Sequence, residues 1–171
     1  MLLHNFILGG VEVTRDAAWE LTQDYSPVEG GRALRRKASG AAFLQTAWAK
    51  VRTVLRGSGR VPEGLDGLDY TSSMTLQCMA PRSIRSASNV IALPSSRRTD
   101  WAPHGYAIVD GRSVRTSITI ATDTATLATV SGASGYVVAY YPVMTVYASP
   151  PVKTFNGRGG MIGWEITAEE A

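Results

Sequence analysis

The chain has one cysteine, Cys78, and two histidines, His4 and His104, among 171 residues. One thiol excludes an internal disulfide framework and a thiolate metal cluster, and it fits synthesis in a reducing cytoplasm. Neither histidine stands at ligand spacing from another His, Cys or carboxylate, which argues against a zinc site. His104, in "WAPHGY" beside a turn, reads as a loop histidine. No apolar run approaches the roughly 20 residues needed to cross a bilayer, and "MLLHNFILGG" lacks the basic start of a signal peptide. Lysine is scarce: Lys37, Lys50 and Lys153 stand beside fourteen arginines, and the formal charge is only +3. That balance alone is too mild to argue nucleic-acid binding.

Reaction motifs are missing too. No serine stands in a G-x-S-x-G elbow. "GSGRVPEG" has glycines but no Gly-Lys-Ser/Thr ending, so it is not a phosphate-cradling loop. Cys78, between Leu76, Met79 and Ala80, reads as a small core residue. Glu63, Asp66 and Asp69 gather in one loop but miss the EF-hand spacing, so a solvated loop is favoured over a calcium site. The expectation is a non-enzymatic protein with no catalytic residue, no metal and no cofactor.

What the chain does have is short strands and turns. Strand-like runs flank Gly9-Gly10 and Asp110-Gly111, two dipeptides suited to tight hairpins. Val114, Thr116, Ile118 and Ile120 alternate with polar residues, as in a half-buried strand. A phase change at Leu127 implies a turn or bulge near Asp123. Residues 41–56, "AAFLQTAWAKVRTVLR", fit both periods. Helical spacing aligns Leu44, Trp48, Val51 and Leu55, but Gly40 in the first turn and no acidic capping partner weigh toward strand. The run 136–147 is too continuously apolar for a strand with one wet face, and reads as a central strand buried on both sides. Pro142 marks a bulge or edge within it, and Pro150-Pro151 block further pairing. The pattern predicts a mainly β fold, an antiparallel β-sandwich or barrel with an extended hairpin and little helix. It predicts one domain over 1–171, with a protruding hairpin at about 33–56.

Aromatic side chains offer one functional reading. Trp48, Trp101 and Trp164, with Trp19 and the tyrosines, could form a sugar-stacking platform on a β-sandwich. The competing reading places these rings in the core or at a subunit interface, where aromatics and arginine concentrate.

Three segments carry a family resemblance: "GSGRVPEGLDGLDYTSSMTLQCMAPRSI" (57–84), "YVVAYYPVMTVYASPP" (136–151) and "GWEITAEEA" (163–171). Together they resemble minor structural proteins of long-tailed bacteriophages, of the distal-tail or tail-tip kind. The resemblance implies a virion protein made in the host cytoplasm. It would form a hexameric ring with itself at the end of the tail tube and contact tail-tube and tail-hub proteins. A tail-terminator or neck protein is the neighbouring alternative. A ring subunit needs two different surfaces that close by rotation. Arg35, Arg36, Lys37, Lys50, Arg52 and Arg56 would stud the hairpin and pair with an acidic end, Glu169-Glu170, of the adjacent subunit. Tyr140, Tyr141 and Tyr147 would extend into the interface. A basic stripe could also make loose contact with DNA in a lumen.

Overall fold

A computed structural model describes residues 5–14, 17, 19–60, 62–157 and 160–171. His4 lies outside them. The first strands are β1 (Ile7–Leu8), β2 (Val11–Glu12), β3 (Trp19–Pro27), β4 (Arg32–Arg36), β5 (Ala42–Thr46) and β6 (Val51–Ser58). A 3-10 turn at Leu65–Gly67 precedes β7 (Met74–Gln77), β8 (Arg82–Ser86), β9 (Val90–Ala92), β10 (His104–Val109) and β11 (Arg112–Thr116). Then come β12 (Ile118–Ala121), β13 (Thr124–Leu127), β14 (Ala133–Tyr140), β15 (Val143–Ala148), β16 (Val152–Phe155) and β17 (Met161–Glu170). The protein is mainly β with antiparallel sheets, 56% strand and 3% helical, in a β-sandwich-like arrangement.

Local turn chemistry accounts for the hairpins. Gly9 and Gly10, at φ 56° and 84°, close β1 on β2, and Asp110 and Gly111, at φ 48° and 74°, close β10 on β11. Two consecutive positive φ angles give the turn whose twist matches the flanking strands. The turn expected near Asp123 is found as Thr122 and Asp123 joining β12 to β13. Within 41–56 the strand reading holds for 42–46, which is β5, and for 51–56, the start of β6, while 47–50 between them are in neither strand nor helix.

Where one domain was expected, the chain forms two compact units, 1–76 with 145–171 and the inserted 77–144. Both crossings fall within strands, β7 and β15, so no linker composition marks them. The first unit holds an eight-stranded sheet in the order β2-β1-β7-β15-β17-β6-β3, with β16 also paired to β17. Its buried side includes Leu55, Val146, Trp164, Ile166 and Ala168, the alternate residues of β6, β15 and β17. The second unit has two sheets, β11-β10-β14-β8 and β12-β13-β9. They share a core of Ile91, Leu93, Ala107, Ala125, Leu127, Tyr136, Val138 and Tyr140.

Three strand readings are corrected. The run 136–147 is not one two-sided strand: Tyr141 and Pro142 break it into β14 and β15, in different sheets. β15 exposes Thr145 and Tyr147 while burying Met144, Val146 and Ala148. Pro142 lacks a ladder N–H, but its carbonyl accepts from the Cys78 amide at 3.0 Å. Likewise Val114 to Ile120 belong to two strands, β11 and β12, in separate sheets. Pro150-Pro151 do not end pairing; β16 starts at once and pairs with β17.

Candidate assembly surface

β3 and β6 form a long antiparallel hairpin whose register runs from Trp19↔Ser58 to Pro27↔Val51. Beyond it the Val28 amide donates to the Lys50 carbonyl and the Ala47 amide to the Gly31 carbonyl. Trp48 lies against Gly31: a Cβ there would collide with the Trp48 carbonyl and indole, so only glycine permits the approach. The hairpin then continues as the separate pair β4–β5, from Arg32↔Thr46 to Arg36↔Ala42. Ala38 to Gly40 form the tip, closed by the Lys37 amide donating to the Ala41 carbonyl, with Gly40 at φ 82° supplying the left-handed position that a three-residue loop requires. The expected hairpin of about 33–56 is therefore an arm of 32–46, and β6 belongs to the main sheet.

Every residue of β4 and β5 is exposed. Leu34 is 68% and Leu44 59% exposed, and they face each other across the pair; Phe43 and Trp48 are also exposed. A two-stranded hairpin without a packed face is marginal in water. The arm carries Arg32, Arg35, Arg36 and Lys37, and no acidic residue occurs between Gly30 and Pro62. Arg35 and Arg36 thus lie on the arm as expected.

Lys50, Arg52 and Arg56 do not. They sit at or on β6, and their partners belong to the same chain. Arg56 bridges Asp24 at 2.6 Å and Glu165 at 2.7 Å, and Arg52 approaches Glu169 at 3.7 Å. The Val51 amide donates to Glu170, and the Lys50 ammonium to the Ala171 main-chain oxygen. Cross-strand register explains this: Glu165 opposes Arg56 and Glu169 opposes Arg52 on adjacent strands. Each pair is about half exposed, so it sets a charge pattern more than it stabilises the fold. On the other side of β17, Tyr147 opposes Glu169 and Val152 opposes Glu165. Tyr147 is 56% and Val152 66% exposed, and Phe155 is exposed nearby. Sequence reading missed Leu34, Phe43, Leu44, Val152 and Phe155. A strand starting straight after Pro150-Pro151 was the available sign for Val152 and Phe155.

Tyr140 and Tyr141 are buried in the second unit. Tyr141 meets Trp101 edge-on at 4.9 Å, and the Arg98 guanidinium lies 3.4 Å over the Trp101 ring. Arg98, itself buried, holds Asp100 by two bonds of 3.0 and 2.5 Å and also donates to the Cys78 carbonyl. The hydrogen bond from Arg98 holds the Asp100 carboxyl below its ordinary value, whereas burial raises the Tyr141 phenol. Trp164 is 3% exposed and packs on Phe6. Trp164 thus lies in the core of the first unit, and in the second unit Trp101 is covered by Arg98. His104 lies on β10, its ring 6.3 Å from that of Tyr141.

Among the described residues no group of three or more His, Cys, Asp or Glu is placed to hold a metal. Glu63 pairs with Arg60 and Asp66 with Lys153. Asp69 accepts from Thr71 and Ser72, bonds that lower its carboxyl. Cys78 is buried, its thiol 3.7 Å from the Met144 sulfur. Among the described residues no helix is long and apolar enough to cross a membrane. No family model matches the chain, and no curated protein or solved structure matches it either.

Proposed function

We propose that the protein is a non-enzymatic structural subunit of a long-tailed bacteriophage tail. In this reading it forms a closed ring with copies of itself at the distal end of the tail tube and links the tube to the tip or hub. The observation that carries the proposal is the β4–β5 arm: two strands exposed on both faces, with Leu34 and Leu44 directed away from any core. Such an arm is stable when it packs on something outside its own fold, and a heterologous contact repeated by rotation closes a ring. The three segments resembling distal-tail proteins, 57–84, 136–151 and 163–171, supply the tail assignment. The mainly β, antiparallel fold agrees with that family's expected architecture.

Light scattering of the purified protein over a concentration range tests the assembly, and negative-stain microscopy tests its shape. A discrete multimer of about six copies with a central opening is the expected result. A strict monomer at high concentration, or a compact dimer with no lumen, refutes it.

A further inference from the structure

Among the described residues, the exposed large apolar side chains of the first unit fall into two patches. One is the arm with its base: Leu34, Phe43, Leu44 and Trp48. The other lies beside β17: Tyr147, Val152 and Phe155. Their charged neighbours are opposite in sign. On β4, Arg32, Leu34 and Arg36 occupy alternate positions and share one face. On β17, Glu165, Thr167 and Glu169 do the same, flanked by Val152 and Tyr147. The arginines are four residues apart, and so are the glutamates. At about 3.4 Å per strand residue both separations are close to 14 Å.

Resting on the assembly reading above, we infer that the arm of one copy docks on the β15–β17–β16 face of a second copy. Leu34 and Leu44 pack on Tyr147 and Val152, while Arg32 and Arg36 reach Glu169 and Glu165. The two carboxylates are already approached by Arg52 and Arg56, but a carboxylate has about four acceptor sites and can serve two guanidiniums. Three carboxylates, Asp24, Glu165 and Glu169, share two guanidiniums in this row, so it keeps a negative surplus for a basic arm. The paired leucines favour a protein partner over a nucleic acid, whose phosphates give leucine nothing to pack on. Donor arm and acceptor face are different surfaces, so the contact can repeat head to tail around a ring.

Two singly substituted proteins, Leu44→Cys and Tyr147→Cys, test this when mixed and oxidised. Cys78 is fully buried and gives little background. A cross-linked heterodimer should form in the mixture and vanish when Leu34→Asp is added to the arm copy. In an unlabelled background, Leu34→Asp/Leu44→Asp should weaken self-association by at least about tenfold. A multimer that survives those aspartates, or gives no cross-link, overturns the docking but leaves ring formation standing. A monomer at every concentration overturns both. If Arg32→Glu/Arg36→Glu abolishes binding to a duplex DNA probe while leaving the multimer intact, the arm's partner is nucleic acid and the inference fails.

Discussion

Gly57→Ala should destabilise the first unit, and the reason can be isolated. Gly57 lies on β6 opposite Trp164 of β17. A methyl group there would sit 2.6 Å from the Trp164 Cζ2 and 2.9 Å from its Nε1. Ordinary contact begins near 3.4 Å, so ring or strand must move by most of an ångström. Trp164 is buried and packed on Phe6, and overfilling such a site costs about 1–3 kcal/mol. Replacing glycine within a strand returns roughly 0.5–1 kcal/mol of backbone entropy, which leaves a net loss of about 1–2 kcal/mol. For a chain of this size that lowers the melting temperature by roughly 2–8 °C, measurable by near-ultraviolet circular dichroism during a thermal ramp. The displaced strand carries Arg56, so the bridges to Asp24 and Glu165 should loosen as well. Repeating the substitution in a Trp164→Leu background completes a double-mutant cycle. With the ring gone, Gly57→Ala should become neutral or mildly stabilising. Equal destabilisation in both backgrounds would refute the assignment of the cost to the indole.

Tyr140→Asp and Tyr147→Asp should part company. The first puts a charge into the second unit's core and should unfold that unit, seen as lost chemical-shift dispersion; the second should leave folding intact and reduce the multimer mass. Arg98→Lys removes the fork that grips Asp100 and the planar face over Trp101; a loss of about 1–3 kcal/mol is expected in urea unfolding. Asp100 should contribute to pH dependence. Its folded carboxyl lies below the ordinary 3.8, so the stabilisation is present above that value and is lost as pH falls through the lowered folded value. Carboxylate titration by NMR should show Asp100 deprotonating below the ordinary range in the wild type, and moving up in Arg98→Lys. A folded value at or above 3.8 would contradict the bonding described.

The sequence by itself determined what depends on neighbouring residues. Gly9-Gly10 and Asp110-Gly111 dictate their hairpins because the turn needs positive φ at two successive positions, which few dipeptides supply. β-branched runs between turns dictate a mainly β chain. The basic character of the arm is equally local, since four cations fall on it with no acid from Gly30 to Pro62. Tertiary structure decided what depends on which strands meet. The apolar run 136–147 reads the same whether it crosses one sheet or two, and only the insertion of 77–144 makes Tyr140 core and Tyr147 surface. Arg52 and Arg56 look available in the sequence. Register against β17, more than a hundred positions downstream, gives them Glu169 and Glu165. The same register aligns Tyr147 and Val152 with those glutamates, because cross-strand neighbours are set by pairing partners that no local pattern encodes.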